Sequence, residues 1–427
     1  MSRIENPTSS ESIGLFNNVA YTRYKGLFVG STIDGNFAVP YEITTPTNPA
    51  EGSRTFIVEP PHFSSGLVAR NSYLGPGFLW KRGFSHVSVG YSNVNLRILN
   101  RNPGFPLIIK REAITEFPPF PGHPKEITDD NILRELALTL KQNPLPFLGA
   151  VHRLYGIGFS DSGDTVHRVY ELFGRQLFDI SFPCTASYLP PVQGTKIIVF
   201  NTEADFDVRT VPNSSFKNYR WYAVAGAPHI PDTSCTRMTF HNGLAAYPGP
   251  PPANPAPPVA GTTPIDWIPF IKALFVAGDD WVRGDKKPPA SAVLKVNPRG
   301  LLAMDVARNA IGGIRHPALA LKEATFIASV VRGRGWDLFG AYCNPRQLKE
   351  DGSDYETYKT SFRNATQALY AAGFLLKEDQ IVLNQRAELT APPHPEPGTY
   401  TMNYLRRLFP NPTPTTDECA LTAPPSS

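Results

Sequence analysis

Residues 150–177, "AVHRLYGIGFSDSGDTVHRVYELFGRQL", constrain the fold of this chain more than any other stretch. The run up to Phe159 is apolar, short and bounded by small residues, which is the pattern of a buried β-strand. After Gly163 the apolar positions Val166, Val169, Tyr170 and Phe173 recur on one stripe, which is helical. A strand therefore passes into a helix through "GFSDSG" (158–163), with small residues on both sides of Ser160. An ordinary turn with Ser160 capping the helix explains the glycines. A nucleophile presented on a strained bend explains the glycines and the serine together.

The same alternation surrounds this stretch. "RTFIVEP" (54–60), "FSHVSVGYS" (84–92), "LFDISFP" (177–183), "TKIIVFN" (195–201) and "YRWYAVAG" (219–226) read as strands. "TDDNILRELALTLKQN" (128–143) reads as a helix, with Thr128 at its cap, acidic residues in its first turn and Ile132, Leu133, Leu136 and Leu140 on one face. Near-continuous apolar runs separated by helices indicate a mostly parallel central sheet covered by helices on both faces, an α/β architecture. Proline reaches 44 of 427 residues and concentrates in "AAYPGPPPANPAPPVAGTTP" (245–264) and beyond about residue 389. Such stretches favour extended polyproline geometry over a packed core. The expected organisation is an N-terminal segment (1–34), an α/β core (35–244), a Pro-rich linker (245–264), a helical lid region (265–390) and a Pro-rich tail (391–427). In the lid region "IDWIPFIKALFVAGDDWV" and "YETYKTSFRNATQALYAAGFLL" read as amphipathic helices.

Composition narrows the function classes. A formal net charge of +4 without a long basic run gives no argument for nucleic acid as a partner. The N-terminus has no apolar signal region and no stretch is long enough to span a membrane, so a soluble, cytoplasmic protein is expected. The four cysteines, Cys184, Cys235, Cys343 and Cys419, are too widely spaced for a zinc site, and no metal or cofactor is implied. "YGIGFSDSG" lacks the lysine of a phosphate loop, and Asp161 stands where a dinucleotide motif needs its third glycine.

A serine hydroxyl needs a base to become a nucleophile. "KIIVFNTEADFD" places Glu203, Asp205 and Asp207 just past one strand, and the next strand candidate ends at His229. That is the chain order serine, acid, histidine, in which His229 accepts the serine proton and the acid holds its tautomer. Asp205 is the preferred acid because it lies far enough past the strand to turn back, with Glu203 as the alternative. The Asp161 N–H follows the nucleophile and supplies one oxyanion donor. A second fits the "EPPHFSSG" loop (59–66), where the amides of His62 or Phe63 qualify and Pro60 and Pro61 have none to give. His152 and His167 are expected to be structural. Tyr188, Trp221, Trp267 and Trp336 are candidates to line an apolar pocket, although core packing is the commoner use of such rings.

At this point the chain resembles the α/β-hydrolase-domain proteins, whose elbow usually reads G-x-S-Q-S-G-R. The segments that carry the resemblance are "VPYEITTP", "TFIVEPPHFSSG", "GIGFSDSG", "VFNTEADF", "YRWYAVAGAPH", "DDWVRGDKKPP", "GGIRHPAL" and "YAAGFLLKED", spread over roughly residues 35–390. The family tends to carry Thr-Glu-x-Asp or Thr-x-x-Glu at the acid position, which supports Asp205. Asp161 and Asp164 replace the family's Gln and Arg, and added carboxylates beside the nucleophile disfavour anionic substrates and favour the His229 cation. The resemblance implies an α/β-hydrolase fold and a serine hydrolase acting through an acyl-enzyme on a carboxylic ester or lactone of an apolar small molecule. An acyltransferase or cyclase using the same triad is one alternative. A non-catalytic binding protein on the hydrolase fold is another, and its mark would be a missing triad member.

Overall fold

The computed structural model describes residues 2–32, 35–60, 74–90, 127–142, 147–173, 177–186, 194, 196–206, 216–231, 263, 265–284, 286–328, 330–332, 335–337, 341–343 and 354–389. The described residues up to Val199, with 216–219, form one compact unit. Those at 200–206, 220–231 and 263–389 form another.

The first unit is built on a sheet that begins antiparallel. Strands β1 (Arg3–Ile4) and β2 (Ser9–Phe16) both pair with β3 (Val19–Thr32), which pairs along its length with β4 (Gly35–Pro46). The sequence pattern does not announce these strands. The sheet then turns parallel. Strand β5 (Thr55–Glu59) lies between β6 (Ser85–Val89) and β7 (Arg153–Phe159), and β8 (Ile180–Cys184) lies on the far side of β7, all in parallel register. Strand β4 joins the two halves by pairing antiparallel with β6. All five residues of β5, β6 and β8 are buried, as a sheet covered on both faces requires.

Helix α1 (Ile127–Gln142) buries Ile132, Leu133, Leu136 and Leu140, and helix α2 (Asp161–Phe173) buries Val166, Val169 and Tyr170, the stripes read from the sequence. Arg168 of α2 forks onto the Asp130 carboxylate of α1 at 2.7 and 3.1 Å. His167, also on α2, is 3% exposed and neither ring nitrogen has a hydrogen-bond partner among the described residues. Burial and the neighbouring Arg168 charge push its pKa down to about 4. The unfolded chain therefore takes up a proton below about pH 6.5 that the folded chain refuses until about pH 4. Stability should fall across that window by up to about 3 kcal/mol on this account alone. Urea unfolding at pH 7 and pH 4.5 should show a smaller acid loss in His167→Leu than in the wild type; equal losses would place the acid sensitivity elsewhere.

The chain crosses from the first unit to the second within β9 (Ile197–Thr202). In the second unit, β10 (Tyr219–Ala225) pairs in parallel with β11 (Ile314–Arg315) through Val224 and Ala225. Helix α3 (Ile268–Arg283) buries Phe270, Ile271, Leu274 and Phe275 and ends in a left-handed cap at Gly284. Helices α4 (Tyr355–Ala371) and α5 (Lys377–Leu389) pack on each other. The Pro-rich linker up to residue 262 and the tail from residue 390 lie outside the described residues. No helix among the described residues is long and apolar enough to cross a membrane.

Candidate active site

Ligands of open parallel sheets bind outside the carboxyl ends of the strands, which makes those ends of the first unit the place to look for a site. Strand β7 stops at Phe159 and α2 starts at Asp161, so Ser160 alone makes the bend. It does so at φ 55°, in the left-handed region that a residue with a Cβ rarely occupies. The bend is held from both sides. The Ser160 N–H donates to the Cys184 carbonyl at 2.8 Å and contacts the Thr185 hydroxyl at 3.1 Å. The Ser162 hydroxyl bonds back to the Phe159 backbone at 2.8 Å. A Cβ on Gly158 would run into the Ser162 carbonyl, so the strand can approach the helix start only as glycine. Ser162 thus has a fixed local role in place of the glycine of G-x-S-x-G. Asp161 opens α2, which leaves its N–H among the first-turn donors without an intrahelical acceptor.

Two neighbouring residues were not signalled by the sequence. Glu59, at the end of β5, and His86, on β6, form a pair at 2.7 Å with both side chains buried. The backbone carbonyl of Glu59 also accepts from the Ser88 hydroxyl at 2.7 Å. Alternation explains the meeting: Glu59 is in register with Ser88, and His86 with Ile57, so all four side chains share one face of the sheet. His62 and Phe63, the second oxyanion candidates, lie outside the described residues, as does Tyr188.

In the second unit, β9 is followed by a single 3₁₀ turn, Glu203–Asp205, and Gly226 and Ala227 separate the end of β10 from Pro228–His229. The His229 Nδ1–H donates to Asp205 Oδ1 at 2.6 Å, and the Thr202 hydroxyl donates to Asp205 Oδ2 at 2.6 Å. The Asp205 and His229 side chains are 7% and 8% exposed. A carboxylate can only accept, so this contact fits the tautomer with the proton on Nδ1, in which Nε2 is the acceptor nitrogen. Glu203, two residues away, does something different. Its Oε2 accepts the Gly226 N–H at 2.6 Å, and burial pushes its carboxyl up to about 7 against the pull of that N–H and of Arg315.

Of the aromatic candidates, Trp221 and Trp267 belong to the core instead of a pocket wall. Trp221 is 2% exposed and stacks on Phe206, and Trp267 is fully buried against Phe200 with its Nε1–H on the Pro228 carbonyl at 3.1 Å. The side chain of Trp336 lies outside the described residues. His152 stands just before β7, exposed, beside Arg54. His316 is buried and caps a short helical turn by accepting the Ala318 N–H at 3.2 Å.

A family model for an alpha/beta hydrolase domain matches residues 43–384. Solved structures similar to parts of the chain include the brefeldin A esterase, a bacterial homologue of human hormone sensitive lipase, at 13% identity and TM-score 0.26. That match covers 38% of this chain and 40% of the other. A dienelactone hydrolase from Anabaena variabilis matches at 11% identity and TM-score 0.26, over 42% of this chain and 74% of the other. Acetyl xylan esterase 1 from Thermoanaerobacterium sp. matches at 15% and 0.27, over 43% and 53%. No curated protein matches the chain.

Proposed function

The chain belongs to the alpha/beta hydrolase domain family, and from that premise we propose that it hydrolyses a carboxylic ester or lactone of an apolar small molecule through an acyl-enzyme. The observation that carries this reading is Ser160 at φ 55° between a parallel strand and a helix start. Strain of this kind persists only where the surroundings enforce it, and it exposes the Oγ at the top of the sheet. The Asp205–His229 bond at 2.6 Å supports the rest of the triad in the order serine, acid, histidine.

In this mechanism Ser160 Oγ attacks the substrate carbonyl carbon while His229 Nε2 takes the hydroxyl proton. Asp205 keeps the imidazole in the Nδ1–H tautomer and offsets its positive charge. The Asp161 N–H, with the amide of His62 or Phe63, receives the oxyanion. Collapse breaks the carbonyl–oxygen bond to the alcohol, which leaves with the proton from His229. Water then attacks the Ser160 ester, again giving a proton to His229, and the acid departs as the serine recovers its own. The reaction needs no cofactor.

A fluorophosphonate probe, which phosphonylates activated serines, tests this directly. Wild-type protein should label and Ser160→Ala should not. Labelling of both, or of neither, would refute the nucleophile assignment.

A further inference from the structure

Glu203, two residues from Asp205, is an ionisable group that the proposed chemistry leaves without a task. Its position is specific. The 3₁₀ turn after β9 sends Asp205 to the imidazole and Glu203 to the backbone of the adjacent strand's exit, where Oε2 meets the Gly226 N–H at 2.6 Å. Gly226 has φ 70° and is the residue at which the chain leaves β10 on its way to His229. One residue further, the Ala204 N–H reaches the Ala227 carbonyl at 3.4 Å. Both bonds tie the acid-bearing turn to the histidine-bearing turn. Arg315 flanks this junction, in register with Ala225 across β10 and β11, and spends its own hydrogen bonds on Asp305 at 2.8 Å and the Leu319 carbonyl at 3.3 Å.

We infer that Glu203 is a positioning residue: by accepting the Gly226 N–H it fixes the Gly226–His229 turn so that the imidazole meets Asp205. The catalytic consequence rests on the function proposed above, whereas the effect on the Asp205–His229 bond does not. Glu203 touches no reacting atom in this scheme. Its task requires an acceptor at Oε2 and not a charge, so glutamine should serve and an apolar side chain of similar length should not.

The test compares Glu203→Met with Glu203→Gln. Methionine fills the space and removes an enclosed carboxyl whose raised pKa already disfavours the folded state as pH rises from about 4.5 to about 7, so it should fold at pH 8. The first readout is the downfield proton NMR signal of His229 Nδ1–H, assigned by its loss in Asp205→Asn. It should weaken or vanish in Glu203→Met and return in Glu203→Gln. The second is steady-state kinetics on an ester: Glu203→Met should lower kcat on the order of 100-fold, with KM little changed, as expected for a misplaced catalytic group. Glu203→Gln should restore most of that loss. A normal signal and normal kcat in Glu203→Met would overturn the inference, as would a glutamine variant as impaired as the methionine one. If the wild type has no esterase activity, the hydrolase reading fails while the NMR comparison still decides the role of Glu203.

Discussion

Asp205→Asn should lower ester turnover by about 10⁴-fold while leaving the fold intact. The amide keeps the size of the carboxylate, and the Thr202 hydroxyl can still satisfy its oxygen. What changes is the partner at His229 Nδ1, which now faces either an amide N–H or an oxygen without full charge. If the N–H points at the ring, Nδ1 must accept, the proton moves to Nε2, and the nitrogen that the proposed mechanism uses as base is no longer basic. Circular dichroism and thermal unfolding should match the wild type, and kcat should carry the loss. A variant within tenfold of wild type would remove Asp205 from the mechanism.

Gly158→Ala should be the most damaging glycine-to-alanine substitution among the described residues of the first unit. The added carbon meets the Ser162 carbonyl, a backbone atom that no rotamer change can withdraw. Either the strand must back away from α2 or the Ser160 bend must open. Overpacking of this kind costs about 3 kcal/mol or more when backbone is the obstacle. Denaturant unfolding reads the stability loss, and fluorophosphonate labelling reads the opening of the bend, since in the proposed mechanism an Oγ moved off its strained position no longer meets the base assigned to it. Wild-type stability together with wild-type labelling would mean that the close approach at Gly158 is not needed.

The central part of the fold was readable because its strands are buried on both faces and its helices carry one apolar stripe each. Strands β5 to β10 and helices α1 to α3 fall within a few residues of their sequence patterns for that reason. Strand β2 was not readable, since "SSESIGLF" is mostly exposed and its order comes from pairing with β3, a non-local partner. The elbow was visible as a set of small residues, but the backbone strain at Ser160 arises from contacts with Cys184 and Thr185, which lie on another strand and its exit. Asp205 and Glu203 could be ranked by position but not given different partners. Two carboxylates two residues apart on a 3₁₀ turn point in different directions, and only the turn says which meets His229. Glu59 and His86 were invisible as a pair because register, not spacing, brings them together.

Residues Thr202–Asp205, the end of β9 and the turn that follows it, divide their contacts in a way that decides which substitutions they tolerate. Thr202 secures the acid, Glu203 reaches the Gly226 amide, Ala204 contributes its backbone N–H, and Asp205 holds the imidazole. These four neighbours form a cassette in which three side chains each have a separate partner. Glu203 and Asp205 hold different partners, so replacing one leaves both partners of the other contact present. Ala204 enters the arrangement through its backbone N–H alone, so it is the one of the four whose side chain makes none of these contacts.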